Sequence, residues 1–305
     1  MRSALPGMEY VPMTITIALW SGTYIAGKFA VADLTPSSLL LLRYMAASAI
    51  MIPAMMLFEP GRWKVGMKDS LPLFAIGLTG MFGNNIFFFL ALKYTSVMNA
   101  SIIFAITPFL TALLAAIFAG EPLEIKRLGA IALALSGVVL LLTGGDITVL
   151  RTMEFNRGDL YEVLAALCAA TYTVIARKVA FRYTPLVVTG YGMIFAAVLS
   201  LPLAAMEMSF ATFSAITPRG WGSLAYLAIL ASCVAYLLQQ VSVKKIGANR
   251  TAAFINLSPA MTIALAALFL GERISTIQAL SAGIIVAGVA LNAAIKSSSS
   301  GGRTA

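Results

Sequence analysis

The chain has 305 residues, of which 60% are hydrophobic and 11% charged, and its formal net charge is +9. Soluble domains carry roughly 25% charged residues, so a soluble fold could not hide this much apolar surface. The positive balance does not point to nucleic acid, because no basic tract or basic–aromatic face gathers it.

A hydrocarbon core about 30 Å thick needs roughly 20 apolar residues per helical crossing. Ten stretches fit, over residues 11–31, 36–57, 70–93, 98–119, 126–143, 159–179, 185–206, 220–241, 250–270 and 276–295. The first follows Arg2 and reaches Ala30-Val31-Ala32, which imitates a secretory leader with its cleavage site. It is too long for a leader and carries Trp20, Tyr24 and Lys28, so it reads as a retained helix. Turn signals part the spans at Asp33-Leu34-Thr35-Pro36, Glu59-Pro60-Gly61, Gly144-Gly145-Asp146 and Pro218-Arg219-Gly220. The polar tail 297–305 reads as disordered. The expected fold class is all-α integral membrane.

Lys and Arg set the orientation. With ten spans, both termini share a side with the even-numbered loops. That side holds fourteen Lys and Arg, among them Arg62, Lys126, Arg177 and Lys244. The other holds five, Arg151 and Arg219 included. The positive-inside bias puts both termini in the cytoplasm, and a bacterial inner membrane is the expected location.

The two halves repeat at an offset of 149–151 residues. Thr35-Pro36 recurs as Thr184-Pro185 and Pro53 as Pro202. Pro108 recurs as Pro259, Gly120-Glu121 as Gly271-Glu272, and Gly137-Val138 as Gly288-Val289. Chance matches alanines in so apolar a chain, but not prolines and a Gly-Glu pair in register. The chain thus divides into a five-helix repeat over 1–143, a connecting loop over 144–158 and a second five-helix repeat over 159–296. Five crossings per half turn the second half upside down, giving a 5+5 inverted-topology repeat. Inverted repeats are a transporter design, in which one bundle rocks against the other around a central site.

Several stretches carry a family likeness. Trp20-Ser21-Gly22-Thr23-Tyr24-Ile25-Ala26-Gly27-Lys28 opens the series, followed by Pro36 with Arg43. Tyr94-Thr95-Ser96, Ala100-Ser101, Pro108 and Gly120-Glu121 come next. Lys244-Lys245-Ile246-Gly247-Ala248, Pro259 and Gly271-Glu272 match them in the second half. In this order and duplication they resemble the drug/metabolite transporter superfamily, EamA type. The resemblance implies ten helices around a central substrate cavity, used for exporting metabolites or amino acids.

Candidate site residues follow from polarity inside apolar spans. Arg43 either meets an anion such as a substrate carboxylate, or pairs with Asp33, or snorkels to the surface. Lys28 has the same choices nearer a helix end. Asn84 and Asn85 precede Phe87-Phe88-Phe89, and the repeat maps Asn85 onto Tyr236 and Phe88-Phe89 onto Gln239-Gln240. These polar groups need partners in hydrocarbon, as cavity wall or as interhelical glue. Trp20 and Tyr24 lie four apart on one helix face, with Tyr172 in the matching helix, and either line a cavity or pack. Asn256 adds a polar group near Ser258-Pro259. Thr107-Pro108 and Ser258-Pro259 are expected to break their helices, as hinges or gates with freed carbonyls near Phe104 and Ile255, or as static kinks closed by the neighbouring hydroxyl. Glu162 is the one candidate for an intramembrane carboxylate that couples protons, or else an interfacial residue beside Asp159 and Arg157. Cys168 and Cys233 read as small buried hydrophobes.

No histidine occurs, which removes His-based metal sites and Ser/His or Cys/His catalysis. No phosphate-binding loop supports ATP coupling. The expected function is secondary transport of a small metabolite such as an amino acid, outward, by alternating access. The expected partners are the lipid bilayer and a small-molecule substrate, with no cofactor, metal or nucleic acid. A carrier for nucleotide sugars, lipid-linked or drug-like solutes competes, and an intramembrane enzyme less so. A carrier places a polar cavity between the first, third, fourth, sixth, eighth and ninth spans.

Overall fold

Thr35 shows how the turn signals become helix ends. Its hydroxyl accepts the backbone N–H of Ser38 at 3.4 Å, and Pro36 sits in the first turn, where a missing N–H costs nothing. Asn156 with Asp159 forms a capping box at one later helix start, and Ser275 with Gln278 forms another. Gly120 (φ 65°) and Gly144 (φ 63°) end helices in the left-handed conformation that side chains disfavour.

The computed structural model describes residues 8–95, 97–120, 122–146, 148–151, 156–207, 213–261, 264 and 274–295, which are helical between short connections, with no strand among them. The order begins with α1 (Val11–Asp33) and α2 (Pro36–Phe58). A third helix runs as α3 (Met67–Ile76), a π-helical stretch over Gly77–Gly83, and α4 (Asn84–Tyr94). Next come α5 (Val97–Phe104), α6 (Thr107–Ala119), α7 (Ile125–Thr143), the short α8 (Thr148–Arg151), α9 (Arg157–Val179) and α10 (Pro185–Glu207). Another long helix runs as α11 (Pro218–Tyr226), a second π-helical stretch over Leu227–Val234, and α12 (Ala235–Ile246). The last are α13 (Ala248–Ala253), a 3₁₀ turn over Phe254–Asn256 and α14 (Thr276–Ala294).

Among the described residues eight helices are long and apolar enough to cross a membrane, and Ile102–Phe118 is a shorter apolar stretch. In hydrocarbon each backbone group must be satisfied within the segment, which helices do. The protein is therefore an integral membrane protein with the bilayer as its surroundings.

The expected span 98–119 is broken. Helix α5 ends at Phe104 and α6 restarts at Thr107 with Pro108 in its first turn, because proline lacks the N–H and clashes with the preceding turn. The expected span 250–270 is helical over α13, tightens to 3₁₀ at Phe254–Asn256 and resumes over 257–261. Residues 262–263 and 265–270 of that span lie outside the described residues, as do Glu121, Gly271-Glu272 and the tail 297–305. The π-helical stretches are not an expected feature. Leu227 follows Gly77 by 150 residues, within the offset of the proline register.

Packing ties the halves together. Helix α2 lies along α10, and α7 along α14, where Arg127 Nη1 donates to Asn292 Oδ1 at 3.2 Å. Helix α1 packs on α11, the second π stretch and α12, while α9 packs on α3, the first π stretch and α4.

Candidate functional site

A cavity of about 110 Å³ lies at the centre of the bundle. Its wall takes Ile17, Trp20 and Thr23 from α1 and Arg43 from α2. Gly80, Asn84, Asn85 and Phe88 come from the first π stretch and α4. Phe104 and Ala105 come from the broken α5–α6 segment, and Ala169, Tyr172 and Thr173 from α9. Tyr236 and Gln239 of α12, with Ile255, Asn256, Ser258 and Pro259, complete it. The contributing segments are the first, third, fourth, sixth, eighth and ninth spans, with α2 added.

Arg43 is 1% exposed. Its Nε donates to Ser232 Oγ at 2.7 Å and its Nη1 to Asn85 Oδ1 at 3.0 Å. These use two of the five N–H donors of a guanidinium. Neither the pairing with Asp33 nor snorkelling is found. Asp33 instead accepts from the backbone and hydroxyl of Thr217, at 2.9 and 2.7 Å. Among the described residues Arg43 has no carboxylate partner, and the ion pair seen there is Arg127 with Glu124. A cation held without an opposite charge in a low-dielectric wall is costly.

Asn85 extends the network. Its Nδ2 donates to Met81 O at 2.9 Å and to Tyr236 Oη at 3.0 Å, and Tyr236 Oη donates to Gly80 O at 3.0 Å. On the neighbouring side Gln240 Nε2 donates to Tyr172 Oη at 2.8 Å, which donates to Gln239 Oε1 at 2.9 Å. Tyr236 is the hub of the rings. Trp20 meets it edge-on at 5.3 Å and Tyr172 at 6.0 Å. Gly80 makes this approach possible, since a Cβ there would collide with the Tyr172 ring.

The π stretches shape the wall. A π turn holds one extra residue, which shifts the hydrogen-bond ladder and releases carbonyls for other donors. Gly80 O accepts from Tyr236, and Ala231 O accepts from Trp20 Nε1 at 3.1 Å. Ser232, which holds Arg43, bonds back to Leu227 O at 2.8 Å inside the second stretch. Ser232 and Gly80 were not legible as site residues. The glycines at 77, 80 and 83 hint at the first π stretch, but Leu227–Val234 contains no glycine.

The other expected residues are placed as follows. Asn84 lines the cavity while its Nδ2 donates to Ala165 O at 3.1 Å. Asn256 is buried in the wall, and neither atom of its amide has a partner among the described residues. Pro259 lines the cavity and Pro108 does not. The carbonyl expected to be free at Phe104 accepts the Thr107 hydroxyl at 2.5 Å, so the neighbouring side chain closes that break. The Ser258 carbonyl accepts from Ser21 Oγ at 3.2 Å, tying α1 to the second break. The side chains of Tyr24 and Lys28 lie outside the described residues. Glu162 is fully buried, and neither carboxyl oxygen has a hydrogen-bond partner among the described residues. Asp159 takes the capping position instead, accepting from Thr95 Oγ1 at 2.6 Å. Cys168 is half-buried and Cys233 buried, and both are free thiols.

The chain matches the profile of the EamA-like transporter family twice, over residues 9–143 and 156–294. A Bacillus subtilis (strain 168) protein named uncharacterized transporter YyaM is 31% identical, over 91% of this chain and 91% of its own. A Streptantibioticus cattleyicolor protein named a probable terminal-alkyne amino-acid exporter is 27% identical, over 92% of this chain and 91% of its own. An Escherichia coli (strain K12) protein named a probable amino-acid metabolite efflux pump is 28% identical, over 91% and 92%. One crystal structure, 22% identical, superposes with a TM-score of 0.75 over 93% of this chain and 95% of the other, which is a likeness of fold.

Proposed function

This chain belongs to the EamA-like transporter family, and from that premise we propose that it exports a small metabolite, such as an amino acid, by alternating access. The observation that carries the reading is Arg43, a buried cation in the cavity wall with no carboxylate partner among the described residues. A substrate carboxylate supplies the missing charge and takes the guanidinium's remaining N–H groups. The rings of Trp20, Tyr172, Tyr236 and Phe88 receive the substrate's apolar part. The unpartnered amide of Asn256 receives its ammonium or other polar group. Asn84, Asn85 and Gln239 hold that wall. The relatives' names, an amino-acid exporter and an amino-acid metabolite efflux pump, lean the same way. Family and names are those of transporters, which is consistent with a protein that is no enzyme.

The architecture we propose is ten crossings in a 5+5 inverted repeat, with halves over 1–143 and 159–296 joined by 144–158. The double family match and the exchange of packing partners between the halves support it. Pro259 then acts as a hinge at the second break in the helix ladder, whereas at Pro108 the Thr107 hydroxyl closes the Phe104 carbonyl, as in a static kink. The positive-inside bias supports cytoplasmic termini in a bacterial inner membrane. A nucleotide-sugar carrier would need a strongly basic cavity, whereas Arg43 is the one cation among the described lining residues.

The test is efflux of labelled amino acids from vesicles holding the purified protein. Saturable efflux is expected, altered by Arg43→Gln, Asn85→Ala and Tyr236→Ala. If no carboxylate-bearing solute moves, the reading fails.

A further inference from the structure

We propose that Glu162 is a proton-binding site that couples export to the inward flow of protons, an inference that rests on the transporter reading above. Glu162 is fully buried in α9, and neither oxygen has a partner among the described residues. It stands five residues into the helix, about 8 Å from its start. An ionised carboxylate left alone there is costly, so in this conformation the group carries its proton.

Its surroundings leave little else to neutralise it. On the same helix the negative charge of Asp159 bears on it, and the cation Arg157, five residues before it at the helix start, is exposed. Helix α4 brings Lys93 and Tyr94 to this end, with Lys93 Nζ over the Tyr94 ring at 5.8 Å and Tyr94 beside Tyr161 at 6.1 Å. Helices α5 and α6, also packed on α9, bring no ionisable residue. Lys68 and Asp69 of α3, Lys244 and Lys245 of α12 and Arg250 of α13 belong to the opposite end of these elements, and Tyr236 to the level of the cavity.

Position links Glu162 to the cavity. Ala166, Ala169 and Thr173 follow it at helical spacing on one face of α9, and the last two line the cavity. Glu162 thus lies two turns, about 10 Å, beyond the wall on the same stripe. The scaffold itself does not ask for an acid. The position 149 residues earlier in α1 is Met13, equally buried and apolar. In the outward-facing state the carboxylate takes a proton from the external solution, forming one O–H bond. In the inward-facing state it returns that proton to the cytoplasm. One proton enters as one substrate leaves, with no redox change.

Two measurements on the whole protein in lipid test this. Infrared titration should show a protonated-carboxyl C=O band near neutral pH that Glu162→Gln and Glu162→Met both lack. In vesicles, counterflow of a labelled amino acid, which needs no net proton movement, should survive in Glu162→Gln. An imposed gradient of one pH unit should drive about tenfold accumulation in the wild type and none in that variant. A band that persists in both variants, or gradient-driven accumulation that persists in Glu162→Gln, overturns the proposal. Absent counterflow in the wild type overturns the transport reading and the coupling role with it, while the infrared arm still decides whether Glu162 holds a proton.

Discussion

Arg43 on α2 donates from Nη1 to Oδ1 of Asn85 on α4 at 3.0 Å. Asn85 in turn donates to Tyr236 on α12 at 3.0 Å. Three helices, two from one half of the chain and one from the other, therefore meet through one amide. A group that both accepts from the cation and donates to the ring hydroxyl cannot be replaced by an apolar side chain without leaving both partners short.

Asn85→Ala should destabilise the protein by about 1–3 kcal/mol, the cost of stranding buried polar groups. Thermal unfolding in detergent checks this. Asn85→Asp keeps the acceptor for Arg43 and gives it a charge partner, so it should fold and yet bind a carboxylate substrate more weakly.

Arg43→Gln should weaken apparent substrate affinity by roughly 10- to 100-fold, the value of a charge-assisted hydrogen bond. Concentration dependence of vesicle efflux reads this directly. An effect confined to protein yield, with affinity unchanged, would assign Arg43 to structure alone.

Tyr236→Phe keeps the ring contacts with Trp20 and Tyr172 but removes the hydroxyl that joins Asn85 to Gly80 O. It should cost about 0.5–1.5 kcal/mol. Tyr236→Ala should cost more and impair efflux further, because the hub of the ring cluster is gone.

Gly80→Val should destabilise by about 1–3 kcal/mol, because the added carbon atoms meet the Tyr172 ring. Combining it with Tyr172→Ala should restore part of the loss, and unfolding of the two single variants and the double variant tests the coupling.

Asp146, in the connection after α7, has its pKa lowered by the Thr148 hydroxyl, which donates at 2.6 Å, and by the Thr148 backbone N–H at 2.9 Å. A depressed carboxylate pKa stabilises above the unfolded value, and that contribution is lost as pH falls through the folded value. The start of α8 should therefore loosen in acid. Carboxyl carbon NMR of labelled aspartate should show the Asp146 titration move upward in Thr148→Val.

Much of this was readable before any coordinates, and the reasons are local. The start of α2 follows from Thr35-Pro36, which acts within one turn, whereas the capping boxes of Asn156 with Asp159 and of Ser275 with Gln278 came only with the structure. Equating Asn85 with Tyr236 through the repeat brought out two residues that hydrogen-bond each other. Glu162 was harder, because a carboxylate five residues into a helix reads the same whether it faces headgroups or a packed interior. The π stretches were hardest. Their ladder shift is supported by donors from other helices, Tyr236 to Gly80 and Trp20 to Ala231, which no local pattern contains.

The sequence by itself determined that the chain lives in a bilayer, where its apolar stretches fall, and that its two halves repeat with their prolines in register. Hydrophobic length and turn chemistry are properties of neighbouring residues, so they survive without a fold. Only the tertiary structure decided that Arg43 points inward to Ser232 and Asn85, that the Phe104 carbonyl is closed by Thr107, and that Glu162 is buried with no partner among the described residues. In a chain this apolar, a polar side chain's meaning depends on what stands opposite it, and that is set by which helices meet.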